Sequence, residues 1–171
     1  MTRIYVDATT IIALGTIGEL ALLDSFDGTL VVLPAIRTEV TTEPARTNLE
    51  QFCDRDGVET ATPNPEVDET RARTVLGESE PNGDVRLIAA VLAHEDADDS
   101  VAIVSDDRRV RTVARGLGAT VTGTVGVIVR AVEEGLSPNE AKAIVRRVDE
   151  HGLHMTAELR DKAIELVDDA G

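Results

Sequence analysis

Apolar positions along the chain alternate between short β-rich runs and longer segments with helical spacing. Ile4 to Val6, Thr29 to Leu33, Val58 to Ala61, Val101 to Ser105 and Ala119 to Thr122 are brief runs rich in Val, Ile and Thr, and each predicts a strand. Between them Ile11–Leu23 has helical character in spite of Gly15 and Gly18. Pro34 suits the first position of a short helix over Ala35–Thr41. A further helix is expected over Pro44–Asp56, ended by Gly57, then a loop at Thr62–Pro65. Val67–Leu76 and Gly83–Ala97 follow as helices, the second with Leu87, Ile88, Val91 and Leu92 on one face. Strands and helices in this alternation imply an α/β fold with a central, mostly parallel sheet.

Beyond the last strand, Gly123 to Gly126 turns into a helix over Val127–Glu134 that Gly135 ends. Ser137-Pro138-Asn139-Glu140 is a capping box with proline at the first helical position, starting a helix over Ala141–Glu150. Thr156 caps a last helix through Val167. The expected organisation is one domain over residues 1–134 and a C-terminal helical extension over 135–171 packed on it. A length of 171 residues, 42 % hydrophobic, supports one real core and falls short of two domains.

No apolar run approaches the roughly 18 residues of a membrane helix, and the first strand follows Met1-Thr2 directly, so a soluble, cytoplasmic protein without membrane contact is expected. The single cysteine, Cys53, can form no internal disulfide and is expected to be a small buried hydrophobe. The charge balance changes the picture more. There are 32 acids against 17 bases, a formal charge of -15, and Lys142 and Lys162 are the only lysines. An acid-rich, lysine-poor surface fits a salt-rich, halophile-like cytosol, where self-repulsion is screened over short distances. Such a charge argues against nucleic acid as a partner, an argument that high salt weakens.

Four of the acids stand where a strand ends or a helix begins: Asp7, Glu39, Asp84 and Asp107. Asp7 and Asp107 close predicted strands at their carboxyl ends, where open α/β sheets place their ligands. Crowded carboxylates raise one another's pKa unless a cation neutralises them, and an all-oxygen donor set suits Mg²⁺ or Mn²⁺ rather than zinc. Other classes fit less well. A haloacid-dehalogenase phosphatase needs a second aspartate where Thr9 stands. A dinucleotide-binding domain needs a glycine-rich turn after the first strand, and a receiver-like module needs a lysine near the last strands; neither is present. His94, His151 and His154 fall late in helices or in the tail and are expected to be bystanders.

The blocks Val6 to Leu14, Leu33 to Val40, Gly83 to Ala90, Ser105 to Arg109 and Leu117 to Gly126, in this order and spacing, resemble the PIN-domain ribonucleases, and among them the prokaryotic DUF3368 branch. The resemblance implies a three-layer α/β/α sandwich and metal-dependent hydrolysis of RNA. Asp7 would be the central ligand, Asp84 and Asp107 would complete the metal shell, and Glu39 would orient the metal or its water. Asp106 is an understudy to Asp107, because the pattern Ser/Thr-x-Asp favours the latter. Asp84 departs from the branch, which more often carries glutamate after the glycine. Thr9, Thr10, Ser105, Arg86, Arg108, Arg111 and Arg115 are candidate contacts to water, phosphate or the RNA backbone. The same fold serves as the toxin of a toxin–antitoxin pair or in RNA processing, with an antitoxin and a second copy as partners. An inactive PIN fold acting as an interaction module is the alternative.

The charge generates a test. Lowering ionic strength from molar to ~0.01 M lengthens the screening distance roughly tenfold, so surface acids repel and the melting temperature should fall on dialysis. A melting temperature that stays flat or rises as salt is removed contradicts the adaptation to salt.

Overall fold

The fold is described from a computed structural model, over residues 1–60, 66–95 and 100–171. The strands are β1 (Arg3–Val6), β2 (Thr29–Val31), β3 (Val58–Glu59), β4 (Val101–Val104) and β5 (Thr120–Thr122). They form one parallel sheet in the order β3-β2-β1-β4-β5. The helices are α1 (Ala8–Thr16), α2 (Pro34–Glu39), α3 (Ala45–Cys53), α4 (Glu66–Leu76), α5 (Gly83–Glu95), α6 (Arg108–Gly116), α7 (Thr124–Glu133), α8 (Pro138–His151) and α9 (Ala157–Ala170). Helices flank the sheet in an α/β/α sandwich, with further helices at the C-terminus.

The central strand explains much of the arrangement. Tyr5 and Val6 are fully buried because β1 is paired on both sides, Tyr5 level with Val31 of β2 and Ile103 of β4. Tyr5 Oη meets His94 Nε2 at 2.9 Å, and the rings pack edge to face, so His94 belongs to the interior. Register then sets the carboxyl edge. Val6 pairs with Val104 and Val104 with Thr122, so Asp7, Ser105 and Gly123 emerge side by side. The backbone continues the pattern one step further, Asp7 N–H donating to Val104 O and Ser105 N–H to Thr122 O, both at 2.9 Å.

Several boundaries differ from expectation for identifiable reasons. The helix expected over Ile11–Leu23 is two elements: α1 ends at Thr16, Gly18 takes φ +73°, and a 3₁₀ segment covers Leu20–Ser25. The second strand stops at Val31, leaving Leu33 to cap α2. α7 begins at Thr124, three residues before the expected start, because the Asp106 carboxylate at the end of β4 accepts the Thr124 N–H at 2.8 Å. The expected loop at Thr62–Pro65, Ala61 and the end of the helix at 96–97 lie outside the described residues.

Ser137 caps α8 as expected, its Oγ accepting the Glu140 N–H at 3.2 Å, and the Glu140 side chain folds back to accept the Ser137 hydroxyl at 2.9 Å. Ala141, Val145, Val148, Ala163 and Val167 join the same core as the sheet residues. Arg147 reaches back to Glu19 Oε1 at 3.0 Å and to Ile17 O. Gly152 lies against α1 so closely that a Cβ would stand 2.9 Å from Ala13 Cα and O. Cys53 is buried, which pushes its thiol pKa up. Among the described residues no helix is long and apolar enough to cross a membrane.

The tail contact is testable. Gly152→Ala should cost about 1–3 kcal/mol by overpacking against rigid backbone, seen as a melting temperature lowered by several degrees. An unchanged melting temperature contradicts the close approach of the tail to α1.

A carboxylate cluster as candidate metal centre

Asp7 is the N-cap of α1, with its side chain only 1 % exposed. Burying a carboxylate is costly unless donors meet it, and three do. Oδ1 accepts the Ala8 N–H at 2.7 Å, while Oδ2 accepts the hydroxyls of Thr9 at 3.0 Å and Ser105 at 2.5 Å. Ser105 Oγ in turn accepts the Asp107 N–H at 3.0 Å, and Asp107 Oδ1 caps α6 by accepting the Val110 N–H at 3.0 Å. One hydroxyl thus couples the orientation of two acids.

Glu39, the last residue of α2, faces the start of α5, where its Oε1 accepts the Gly83 N–H at 2.8 Å. A Cβ there would fall 2.2 Å from that oxygen, so any side chain would push the Glu39 carboxylate off the Gly83 N–H. Asn82 Oδ1 accepts the Val85 N–H at 2.9 Å and opens α5, placing Asp84 in the first turn. Arg109 donates through Nη2 to Glu78 and, at 3.5 Å, to Asp84 Oδ2, and through Nη1 to Leu76 O at 3.3 Å.

The four acids feel one another. Burial raises the Asp7 pKa, its hydrogen bonds to Ser105, Thr9 and Ala8 pull it down, and the Asp107 charge raises it. Burial and then the Asp7 charge raise Glu39 against the pull of the Gly83 N–H. Asp84 is pushed up to about 6, first by burial and then by Asp7, Asp107 and Glu39, with Arg109 opposing. The donor set is all oxygen, the chemistry of Mg²⁺ or Mn²⁺. The set stands open: among the described residues no three His, Cys, Asp or Glu side chains come together tightly enough to hold an ion.

Other candidates have different employment. Asp106 turns to α7, its Oδ1 accepting the Thr124 N–H and its Oδ2 the Thr124 hydroxyl at 2.5 Å and the Thr10 hydroxyl at 3.5 Å. It is a clamp between the end of β4 and α7, which leaves Asp107 as the acid linked to Asp7 through Ser105. Thr9 Oγ1 also accepts the Asp106 N–H at 3.1 Å while the residue stays exposed, whereas Ser105 is fully buried and its hydroxyl is taken up by the acids. Arg86 is paired with Glu69 at 2.9 Å. Arg108, Arg111 and Arg115 make no ion pair among the described residues. His151 is exposed beside Glu150 at 3.7 Å, and His154 lies in the loop before α9. Sequence reasoning missed Arg109, Asn82 and Thr124. An asparagine just before Gly83-Asp84 was the readable signal for the start of α5; the partners of Arg109 and Thr124 are distant in sequence.

A five-stranded parallel sheet with buried Asp7 at its carboxyl edge and three further acids coupled to it is the architecture of a PIN domain. The chain belongs to this family: DUF3368, a PIN domain, matches residues 3–169. No curated protein matches the chain. A nuclease fold follows from this membership.

The raised pKa of Asp84 has a definite sign. An aspartate whose pKa is higher folded than unfolded takes up a proton on folding, so the metal-free protein gains stability as pH falls through 6 toward the ordinary aspartate range and loses it as pH rises again. Thermal unfolding in chelator between about pH 7.5 and about pH 5 should show this gain, and Asp84→Asn should reduce it. Identical pH slopes in the two proteins contradict the coupling.

Proposed function

We propose that the protein is a divalent-metal-dependent endoribonuclease whose working residues are Asp7, Glu39, Asp84 and Asp107. The observation that carries this is the electrostatic coupling of Asp7 and Asp84 with both Glu39 and Asp107 at the sheet edge. Such repulsion is maintained where a cation relieves it. RNA as substrate, a toxin–antitoxin or RNA-processing role, a cytoplasmic setting, and an antitoxin or second copy as partner rest on likeness to PIN-domain ribonucleases.

When bound by Asp7, Asp84 and Asp107, Mg²⁺ or Mn²⁺ supplies charge neutralisation and Lewis acidity toward the phosphodiester. The protein's own part is positional. Ser105 and Thr9 hold Asp7 in one orientation, and Ser105 and the α6 terminus hold Asp107. Glu39, with Oε1 fixed by Gly83, keeps Oε2 to orient a water or take its proton. Arg109 restrains Asp84 through its contact to Oδ2. Arg108 is exposed at the start of α6 and meets the phosphate backbone. The open spacing of the acids favours the alternative, an inactive PIN fold that serves as an interaction module.

Cleavage of labelled RNA at high, fixed monovalent salt with Mn²⁺ separates the two. Asp7→Asn should lose more activity than the roughly 100-fold that the loss of a ligand's hydrogen-bond partner can cost, and Ser105→Ala should lose about 10–100-fold. Mn²⁺ at a hundred times its dissociation constant stabilises a folded chain that binds it by about 2.7 kcal/mol, raising the melting temperature by several degrees. Asp7→Asn should show little of that rise. Equal shifts in the two proteins, with no cleavage by either, support the inactive module.

A further inference from the structure

The carboxyl edge of the sheet does not end at the acids. Beside Asp106 a groove of about 380 Å³ opens between the start of α7 and the face of α9. Its apolar lining is Val125, Leu153, Leu159 and Leu166, and its polar lining includes Asp106 and Arg111. Leu159 and Leu166 are seven residues apart on one face of α9, and they are 44 % and 36 % exposed, among the few large apolar side chains that the described residues leave in solvent. Exposed apolar surface that gathers around one concavity marks a binding site more than a scatter of single residues does.

Two details define what fits. Gly123 and Gly126 form bare backbone along the wall, and a side chain at either would have to displace a neighbour: a Cβ would fall 2.6 Å from Asp106 Oδ1 at the first and 1.8 Å from Thr122 Oγ1 at the second. A flat group can therefore lie close against the start of α7. Arg111 Nη1 lies 3.5 Å from the point where the Gly123 Cβ would stand. In a chain with 32 acids for 17 bases, this guanidinium has no carboxylate partner among the described residues, while Arg109 on the same helix has two. A flat, largely apolar body joined to an anion is the chemistry of a nucleotide. Asp106, in the groove wall, stands in the chain between Ser105 and Asp107, which belong to the acidic site.

We propose that this groove is a subsite for one nucleotide flanking the scissile phosphate, its base against Leu159, Leu166, Leu153 and Val125 and its phosphate on Arg111. The inference rests on the ribonuclease reading and deepens it, because it assigns base contact to the C-terminal helix. Val125 and the leucines offer no hydrogen bond to a base edge, so the subsite prefers any base over none rather than one base over another.

The test measures binding separately from cleavage. The full chain, at high fixed ionic strength without divalent ions, is titrated into a fluorescent single-stranded RNA hexamer and into an abasic ribose-phosphate hexamer of equal charge. Wild type should bind the RNA about tenfold more tightly than the abasic strand, and Leu159→Ser/Leu166→Ser should lose most of that margin while binding the abasic strand as wild type does. Arg111→Gln, on a half-exposed side chain, should weaken both strands by a similar factor, and it carries the test independently of the leucines. RNA affinity unchanged in both variants, with wild type still binding, overturns the subsite and leaves the nuclease reading standing. A wild type that binds neither strand overturns both. A leucine variant that keeps its RNA affinity but changes from dimer to monomer in sedimentation, or loses binding to an acidic apolar peptide, makes the groove a protein interface and the subsite wrong.

Discussion

A carboxylate closed off from water between two parallel strands has to be met by donors, and the hydrogen bonds to Asp7 determine much of what surrounds them. Ser105 and Thr9 reach Oδ2 from β4 and from α1, and Ala8 reaches Oδ1. The register of β1 and β4 makes the Ser105 contact available, since Val6 and Val104 are partners and the next residue of each strand stands beside the other. The same hydroxyl then accepts the Asp107 N–H, so a second acid is placed by the bond that stabilises the first. Asp7 is held strongly enough to stay in place: Oδ2 is taken up by two hydroxyls, and Oδ1, with one N–H, keeps lone-pair capacity for a cation.

The outer acids are held more loosely, and this division has a physical use. Glu39 is fixed by one backbone N–H and Asp84 by a long contact to Arg109, and both are partly exposed. A rigid centre with adjustable flanks can draw in around an ion at little cost in strain. Arg109 links the end of α4, Glu78, Asp84 and the start of α6, so the position of Asp84 depends on how α4, α5 and α6 pack together.

How much of this was legible in the residues follows from how local each cause is. The alternation of strands and helices, the cap at Ser137 and the cap at Thr156 depend on near neighbours, and they stand in the fold where the pattern placed them. Asp7 and Asp107 were readable as strand-end acids because strand ends are local features. The split of the first long helix was signalled by Gly18, whose cost in a helix is modest and whose φ +73° comes from the turn that follows. The early start of α7 was not readable, because the acceptor that caps it belongs to Asp106, 18 residues earlier and just past β4. For the same reason Asp106 and Asp107 were hard to separate from sequence: adjacent acids point to opposite neighbours only once β5 and α7 are in place. Thr9 and Ser105 looked like substrate contacts since both flank acids; burial assigns Ser105 to the acids, while Thr9 is exposed and bonds to both Asp7 and Asp106.

The central claim is that Asp7, Asp84 and Asp107 form one cation site with Asp7 as its fixed member. Its most direct test is the anomalous scattering of Mn²⁺ in crystals of the wild-type chain. A peak should lie about 2.0–2.3 Å from Asp7, with Asp84 and Asp107 drawn toward it or bridged by water and Asp106 still on Thr124. A peak held by Asp106 in place of Asp107, or Mn²⁺ found only on the outer acidic surface with none at Asp7, would contradict the account.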